Sequence, residues 1–483
     1  MSQEIHDIPT KSDTLLSCSH KYDIIAAKPQ LAVVVELLPG SWVAHSFRVL
    51  CSKPNGPNCC ERAGLPLNPK VPKILRLYPD TRAASAKINP QTSSTEHYPR
   101  RSSISMHSKA HVAVIGAGAF GGWTALYLLR RGAQVTLLDA WGPGNSRSSS
   151  GGETRIIRGT YGPNQPYTKM AARALRLWTE NQARWKQQLF HRSGVLWIAT
   201  SENDQYERSS LPMLQEAGVA YQELSVREVG KRWPQMNVED VRWAIYESGS
   251  GFLSARMACQ AVVKGFLAEG GEYKQTAVLP RDLESGVPNG LLLSDGSRLT
   301  ADQYVFACGP WLSKLFPETI GARIRPTKQD VFFFGSPAGD DRFAEPKLPV
   351  WADNHERFIY GIPAADGRGF KVADDTRGPE FDPTSGERVV SNEGLKTIRD
   401  YVAFRFPAMK DAPLIETRVC QYENSPDNHL IIHRHPQANN VWLVGGGSGH
   451  GFKHGPVVGE MVAESVMEGK DSNPIFQLSR LGE

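Results

Sequence analysis

The sequence has no long uninterrupted apolar run and few cysteines for a chain of 483 residues. Its best apolar stretch, residues 31–38, is broken by Glu36 and is far shorter than the roughly 18 residues that a membrane span requires. We therefore expect a soluble, cytoplasmic protein with no membrane partner. The 7 cysteines show no zinc-binding spacing and follow no secretory leader, so a disulfide framework is not expected and a reducing compartment fits best.

Several functional classes lack support in the motifs and the charge. The chain has no HxxEH, GxSxG or Walker pattern, so neither a metal site nor these hydrolytic and nucleotide-hydrolysing sites are expected. The net charge of +5 comes from residues 1–109, which hold 14 basic against 8 acidic residues, whereas the rest holds 41 against 42. A nearly neutral main body argues against a nucleic-acid partner.

The segment from His111 to Asp139 has the most informative pattern in the chain. An apolar run at residues 112–115 predicts a buried strand, GAGAFG then supplies GxGxxG, and apolar residues at helical spacing continue to residue 131. A second apolar run ends in Asp139, 18 residues beyond Gly121, where an acid can accept hydrogen bonds from a ribose. This order predicts a dinucleotide-binding unit, and a chance glycine turn is the alternative.

Each glycine of the motif has a predicted role. Gly116 makes the tight turn, Gly118 lets the backbone approach a pyrophosphate, and Gly121 lets the helix and the strand pack closely. The start of the helix offers unpaired N–H groups to an anion.

A loop rich in glycine and serine, residues 142–152, comes next and is followed by ETRIIR. Its amides and hydroxyls can surround a diphosphate. Arg155 and Arg158 lie three residues apart and would share one face if the segment is a helical turn, which would suit an anion. The alternative is that both are surface arginines paired with Glu153 and other acids, and the residues alone do not decide between the two.

The middle of the chain predicts a second domain. Helical patterns occur at residues 167–189, 207–216, 255–269 and 391–406, and a buried strand at 304–311 suits a return to the nucleotide-binding sheet. Residues 332–335, 358–361 and 369–373 favour strands of a separate, antiparallel sheet. We therefore expect an α/β (overall α+β) protein with a Rossmann-type domain at 110–189, 255–324 and 415–483, and a substrate domain inserted at 190–254 and 325–414.

Residues 1–109 differ from the rest of the chain. They carry four of the seven cysteines and a polar tract at 92–108, and their core-like pieces at 31–38 and 46–51 are too short to build a domain. We interpret them as a disordered or non-native extension. A targeting role is disfavoured because the beginning, MSQEIHD, is acidic rather than rich in arginine.

The C-terminal region repeats the order of strand, glycine-rich loop and helix. Residues 441–444 predict a strand, GGGSGHGFK follows, and a helix is predicted at 457–468. Backbone donors at a helix start with Lys453 beside them favour a site that becomes negative.

Three motifs together carry a resemblance to a known family. They are VAVIGAGAFGGWTALYLLRRGAQVTLLDA, SSSGGETRIIRGTYG, and CQYENSPDNHLII followed by GGGSGHGFKHG. From residue 110 to about 475 the chain resembles the monomeric sarcosine oxidase and N-methyltryptophan oxidase family of FAD-dependent amine oxidoreductases, in the D-amino-acid-oxidase-like superfamily. The resemblance implies a glutathione-reductase-like FAD fold with an inserted antiparallel-sheet substrate domain, and a monomer.

The resemblance also implies roles for individual residues. Cys420 falls where the family bonds the flavin covalently to a cysteine, and Lys371 where it activates oxygen, although a strand lysine alone is more often a solvated surface charge. Arg158 and Lys453 match the pair that holds the substrate carboxylate, Tyr422 and Tyr360 line the pocket, and Arg155 lies beside the flavin. The expected FAD contacts are Gly116, Gly118, Phe120, Gly121, Asp139, Ser149, Arg155, Cys420, Gly447, Gly449, Gly451, Phe452 and Lys453.

The chain departs from sarcosine oxidases at two pocket positions. Gly151 stands where they have a histidine, which we expect to leave extra room, and Asp375 stands where they have another histidine. We therefore expect Asp375 to contribute to a changed pocket, and a substrate larger than sarcosine, such as a cyclic, N-alkylated or basic amino acid.

The predicted reaction is the FAD-dependent oxidation of the C–N bond of a secondary or N-alkylated amino acid to an imine, with oxygen reduced to hydrogen peroxide. Three alternatives stay open. They are a dehydrogenase of the same fold that passes electrons to a carrier, a nicotinamide enzyme, which Asp139 alone would allow, and a non-catalytic flavin-binding protein with an interaction tail at residues 1–109.

Overall fold

The computed structural model describes residues 109–281, 283–287, 289–354 and 356–482, together with three short strands near the N-terminus. Those strands, Asp23–Ile24, Leu31–Val35 and Phe47–Cys51, form an antiparallel sheet in a unit that spans residues 1–101. The prediction of a disordered or non-native extension otherwise falls on residues outside the described ones.

The second unit, residues 102–483, contains a six-stranded sheet built around the strand His111–Ile115. Residues 112–114 of that strand are fully buried, as expected for a short apolar run covered on both faces. All neighbouring strands are parallel except the last pair. The strands in spatial order are Glu272–Gln275, Gln134–Asp139, His111–Ile115, Gln303–Phe306, Val441–Gly445 and Ile431–Arg434.

Helices cover this sheet and share its hydrophobic core. The helix Ala119–Arg130 begins inside the glycine motif and packs against Gly455–Glu468 and Ala255–Ala268. The helix Gln165–Trp185 packs on Gly455–Glu468, and its Trp178 meets Trp123 of the helix Ala119–Arg130 edge to face. The predicted helices of this region are confirmed, with ends shifted by a few residues.

A second sheet has eight strands and is antiparallel apart from one parallel pair. The three strands predicted from residues 332–335, 358–361 and 369–373 are confirmed as members of it. The strands in spatial order are Leu414–Asn424, Arg325–Phe334, Phe370–Asp374, Phe358–Ile362, Val350–Asn354, Val195–Ala199, Trp243–Glu247 and Gln222–Ser225.

The strand Leu414–Asn424 lies in a different sheet from the one predicted. It pairs along its length with Arg325–Phe334, so the segment that carries Cys420 belongs to the large antiparallel sheet. The sequence predicts that residues from 415 onwards belong to the nucleotide-binding domain. The strand Leu414–Asn424 lies in the antiparallel sheet instead, and the division into domains stays a prediction.

A three-stranded sheet connects the two large ones. It consists of Thr154–Ile157, Gly251–Ser254 and Phe190–His191, all antiparallel. The predicted helical turn at residues 153–158 is therefore wrong. The run Ile156–Ile157 supplies β-branched side chains that suit a strand, and the pairing with Gly251–Ser254 satisfies its backbone groups.

The remaining elements are shorter. The helix Asn392–Arg405 packs on the antiparallel sheet and is capped by Ser391, whose side chain accepts a hydrogen bond from the amide of Gly394. Other helices are Gln205–Glu216, Val226–Arg232 and Leu312–Leu315, and a hairpin joins Leu291–Leu292 to Arg298–Leu299. Turns of 3₁₀ helix are Gly309–Trp311, Gly321–Arg323, Asp341–Phe343, Pro407–Met409, Phe452–His454, Pro474–Phe476 and Leu478–Leu481.

The predicted mixed architecture, with a Rossmann-type sheet and a separate antiparallel sheet, is confirmed. Within the described part of the chain, no helix combines the length and the apolar character that crossing a bilayer would require.

Candidate functional site

A cavity of about 250 Å³ opens where several parallel strands of the first sheet end. Parallel sheets bind ligands at this edge because the loops that follow the strands diverge there. Its lining includes the expected cofactor contacts Gly116, Gly118, Phe120, Asp139, Ser149, Arg155, Gly447, Gly449, Gly451 and Phe452, together with Tyr422.

Two glycines of the motif lie where no side chain could fit. Gly116 has φ of +105°, and a Cβ atom there would lie 2.3 Å from the carbonyl oxygen of Ala307. A Cβ on Gly121 would lie 1.8 Å from the carbonyl oxygen of Gly116, so the helix could not approach the turn as closely. Gly121 does not line the cavity and acts through this packing alone.

Asp139 holds the shape of the glycine turn. Its Oδ2 accepts a hydrogen bond of 2.8 Å from the amide of Ala117, and its Oδ1 accepts two of 2.8 Å from the amides of Trp141 and Gly142. Burial raises the pKa of this carboxyl. The expected contact of Asp139 with a ribose stays a prediction.

Arg155, which lines the cavity, meets Cys420, which lines a smaller cavity beside it and not the main one. Arg155 lies in the strand Thr154–Ile157, and its Nη2 donates to the carbonyl oxygen of Ser149 at 2.6 Å and approaches the Cys420 Sγ at 3.2 Å. Cys420 is a free thiol.

Lys371 lies beside this pair and is almost completely buried, at 2% exposure. Its Nζ donates to the carbonyl oxygen of Thr154 at 3.1 Å and lies 5.4 Å from the centre of the Tyr360 ring. Burial, and next the charge of Arg155, lowers the pKa of Lys371 to about 7. The alternative of a solvated surface lysine is therefore wrong. A small cavity of about 30 Å³ is lined by Lys371, Arg155 and Cys420.

Arg158 lies in a different environment from Arg155, because the strand sends the two side chains in different directions. Its guanidinium lies 4.6 Å from the centre of the Tyr161 ring and 4.5 Å from that of Trp197, and it donates to the carbonyl oxygen of Thr160. Within the described residues it makes no ion pair with a carboxylate. It is 8% exposed, so a buried guanidinium keeps its charge between two aromatic rings.

Lys453 contacts Tyr161, the same tyrosine that Arg158 contacts. Its Nζ donates to the Tyr161 hydroxyl at 3.0 Å and to the carbonyl oxygen of His450 at 2.9 Å. His454 Nε2 lies 2.8 Å from the same hydroxyl. Burial, and then the charge of Arg158, lowers the pKa of Lys453 well below its usual range. Tyr161 therefore connects the two cations that the sequence places 295 residues apart.

Tyr422 and Asp375 complete this cluster. The Tyr422 hydroxyl donates to Asp375 Oδ1 at 2.5 Å, and the ring lies against Gly449, where a Cβ atom would come within 2.6 Å. Burial raises the pKa of Asp375, while the positive charges of Arg377, Arg158 and Lys453 oppose that effect. Burial and the charge of Asp375 also raise the pKa of the neighbouring Tyr360.

Two interpretations of the loop before Arg155 are wrong. Gly151 does not leave extra room, because a Cβ atom there would lie 1.8 Å from the carbonyl oxygen of Asn145, which fills the space. Nor does Glu153 pair with Arg155 or Arg158. Its ion pairs are with Arg418 at 2.9 Å, Arg256 at 3.0 Å and Arg368 at 3.5 Å.

Several side chains of the site were missed from the sequence. Tyr161, three residues after Arg158, could have been found from its position in RGTYG, and Glu423 from its position directly after Tyr422. Trp197 lies in a strand far along the chain and gave no local signal.

A family model described as FAD dependent oxidoreductase matches residues 111–465. The chain belongs to this family. The matched range includes every residue of the cavity and of the two side-chain clusters described above, and it begins at the first strand of the parallel sheet.

Among related proteins, the chain is 29% identical to the monomeric sarcosine oxidase of Arthrobacter sp. (strain TE1826) over 383 residues, which is 78% of this chain and 98% of the relative. It is 27% identical to the N-methyl-L-tryptophan oxidase of Salmonella arizonae over 78% of this chain and 100% of the relative. It is 27% identical to the human peroxisomal sarcosine oxidase over 76% and 95%.

Solved structures support the fold. The chain is similar to L-proline dehydrogenase from P. horikoshii with a TM-score of 0.66 and 22% identity, over 76% of this chain and 96% of that one. A modified fructosyl peptide oxidase from Aspergillus nidulans gives a TM-score of 0.65 at 21% identity, over 77% and 93%.

The residues present fit the family's FAD. The helix Ala119–Arg130 has no side-chain cap at its start, so its first amides are free for a phosphate. Ser149 Oγ and Glu423 Oε2 are buried polar atoms of the cavity that have no hydrogen-bond partner among the described residues. Groups of three or more histidine, cysteine or acidic side chains arranged for a metal ion do not occur in the described part of the chain.

Proposed function

We propose that the protein oxidises the C–N bond of a secondary or N-alkylated amino acid to an imine and reduces oxygen to hydrogen peroxide. The observation that carries the proposal is the convergence of Arg158 and Lys453 on Tyr161 beside the FAD cavity. A buried arginine without a carboxylate partner is a site for an incoming carboxylate. The names of the relatives, sarcosine oxidase and N-methyl-L-tryptophan oxidase, support the same substrate class.

In this proposal the protein binds and orients the substrate through charge. Arg158 binds the carboxylate with two N–H donors, and the negative group favours the charged form of Lys453. Tyr422 and Asp375 face the same group of side chains and hold the amine end by hydrogen bonds. When bound, FAD takes two electrons and one hydrogen from the substrate and passes them to oxygen.

Asp375 supports a narrower substrate class. The carboxylate of Asp375 balances part of the positive charge of Arg158 and Lys453. A substrate with an additional basic or amine group is therefore repelled less strongly at this site. We therefore propose a substrate that is larger than sarcosine and carries a second cationic group, such as a basic amino acid alkylated on nitrogen. The extra room once expected at Gly151 no longer supports this.

Lys371 and Cys420 have proposed roles at the other end of the cavity. Lys371, protonated beside reduced flavin, stabilises the negative charge that develops on oxygen. Cys420, next to Arg155, attaches the flavin covalently. We extend the proposal to a monomer, since relatives matched over 78% of this chain are named monomeric sarcosine oxidase, and to a cytoplasmic location.

A screen of N-alkylated amino acids by peroxide release under air tests the reaction. Each substrate is compared with its analogue that lacks the carboxylate, and we expect the carboxylated member to be faster. An uncharged amine that outruns its carboxylated analogue would overturn the proposal, and reduction of the flavin without peroxide would assign the protein to the dehydrogenases.

A matched pair of variants tests the role of Asp375. Asp375→Asn should lower kcat/KM for basic substrates more than for neutral ones. Asp374→Asn is the control, because the neighbouring Asp374 pairs with Arg357 and not with the cluster. Equal loss for basic and neutral substrates would remove the narrower claim and leave the amino acid oxidase proposal standing.

A further inference from the structure

Glu423 is a buried carboxyl that the reaction described above does not use. It is 7% exposed, lines the FAD cavity and lies next to Tyr422 in the strand Leu414–Asn424. In the described part of the chain its Oε2 has no hydrogen-bond partner. An unpaired buried carboxyl oxygen is unfavourable unless a bound group completes it.

Two glycines lie so close to this side chain that larger residues in their place would press against its carboxyl group. A Cβ atom on Gly447 would lie 3.0 Å from Glu423 Oε1, and one on Gly445 would lie 3.2 Å from Oε2. The amides of Gly447 and Gly446 donate to the carboxyl. One side of the group is therefore held by the backbone donors of the glycine loop, and Oε2 is enclosed between Gly445 and the protein interior.

The residues that line each end of the cavity indicate which end of FAD binds beside Glu423. Asp139, Trp141 and residues 276–278 line the end that follows the strand Gln134–Asp139, where dinucleotides place their adenosine ribose. Glu423 lines the cavity with Tyr422, Arg155, Gly447, Gly449 and Gly451. This second group belongs to the flavin end.

We propose that Glu423 is a positioning residue for FAD, which holds the glycine loop at the flavin end of the cavity through the amides of Gly446 and Gly447 and takes up a proton when the flavin is reduced. Reduction by dithionite adds two electrons and one proton to the flavin and leaves it with one negative charge. That charge favours the neutral form of a nearby carboxyl, so the Glu423 carboxylate binds one further proton from water.

The chemistry of the site supports this uptake. Burial raises the pKa of Glu423 to about 7, although the amides of Gly447 and Gly446 oppose the effect. Burial, then the charges of Asp139 and Glu423, raise the pKa of the Cys308 thiol, which lies before the turn Gly309–Trp311. The other titratable or charged groups on the elements packed around Glu423 are Arg325, Lys328 and Asp330 on the paired strand, Glu416, Arg418, Cys420 and Tyr422 on its own strand, and His450, Lys453 and His454 after the glycines.

The test measures proton uptake when the FAD-loaded protein is reduced by dithionite without oxygen, in weak buffer with an indicator dye at pH 8. The wild type should take up about one more proton per flavin than Glu423→Gln, which keeps the shape and is neutral. Lys371 and Lys453 are present in both proteins, so their uptake cancels. Glu416→Gln is the control and should match the wild type, because Glu416 lies on the same strand but pairs with Arg418 and does not line the cavity.

A second readout needs no reduction. The absorption spectrum of oxidised flavin in the wild type should shift with a midpoint near pH 7, and the shift should be absent from Glu423→Gln and from Glu423→Ser. Loss of FAD from both variants at unchanged circular dichroism also supports the role of Glu423 in positioning FAD. The proposal would be overturned if either FAD-loaded variant took up as many protons as the wild type and kept the same pH-dependent spectral shift. Because dithionite replaces the amine, failure here leaves the proposed substrate chemistry untouched.

Discussion

The two cations of the proposed carboxylate site differ in what keeps them charged. Arg158 remains a cation between Tyr161 and Trp197, whereas burial and Arg158 itself disfavour the proton on Lys453. An incoming carboxylate favours the charged form of Lys453. We therefore expect Arg158 to supply an attraction that does not depend on pH, and the contribution of Lys453 to increase when substrate is bound.

Replacing Arg158 by alanine should lower kcat/KM by roughly 30-fold to several thousand-fold, since loss of a buried charged hydrogen bond costs on the order of 2 to 5 kcal/mol. Steady-state kinetics measures the change. Arg208→Ala is the control, because Arg208 also lies over a tryptophan, Trp243, but at a half-exposed position outside the site. A loss of less than a few-fold for Arg158→Ala would show that the carboxylate binds elsewhere.

Lys371 lies where its charge depends on pH. Lys371→Met should slow the reaction of reduced enzyme with oxygen far more than the reduction by substrate, because a methionine offers no positive charge. In the wild type the oxygen reaction should slow as pH rises through the pKa of Lys371, which is about 7 before the reduced flavin raises it. The variant should show no such dependence.

Stopped-flow measurement of the two half-reactions separates these effects. Lys328→Met is the control, because Lys328 lies on the adjacent strand and pairs with Asp330. If Lys371→Met slows both half-reactions equally, the lysine serves the structure and the oxygen role is wrong.

Cys420 decides whether FAD is covalently bound. We expect flavin to remain with the protein after acid denaturation, and Cys420→Ser to release it, because a serine hydroxyl is a much weaker nucleophile than the cysteine sulfur beside Arg155. Cys259→Ser, at a buried cysteine of the helix Ala255–Ala268, should keep the flavin attached. Complete release of flavin from the acid-treated wild type would contradict the proposal.

The glycine turn and the helix after it act as one element. Gly121→Ala should weaken FAD binding and lower the melting temperature, because the added methyl group would overlap the carbonyl of Gly116 and push the helix away from the turn. Overpacking of this kind costs about 1–3 kcal/mol, or a few degrees in a protein of this size. Gly249→Ala, where nothing lies within 4 Å, should leave both quantities unchanged. Unaltered FAD binding in Gly121→Ala would show that the turn tolerates displacement.

Deleting residues 1–105 should leave FAD binding, melting temperature and activity unchanged. The hydrophobic clusters of the described residues are built from residue 112 onwards, and the deleted segment lacks a periodic apolar pattern. The deletion keeps the strand His111–Ile115 and its neighbours intact. An insoluble truncated chain, or one that loses FAD, would show that the segment supports the fold.

Local patterns were sufficient for the elements whose side chains repeat at a regular spacing. The strand His111–Ile115, the helix Ala119–Arg130 and the helix Gly455–Glu468 were all predicted, because burial of one face or of both imposes a period on the sequence. The helical turn at residues 153–158 was wrong because a four-residue strand is too short to show a period, and its state is decided by its partner Gly251–Ser254. The gap expected at Gly151 was wrong because Asn145 fills it.

By itself the sequence determined the glycine turn, the order of strands and helices, and the family whose motifs it carries. The tertiary structure alone decided which side chains meet. Arg155 and Cys420 are 265 residues apart in the chain and 3.2 Å apart in space, and Arg158 reaches Trp197 and Lys453 only because two sheets and a helix start come together. Burial, which sets the pKa values of Lys371, Lys453 and Glu423, also depends on this packing, because the removal of water is a property of the whole fold and not of any local run of residues.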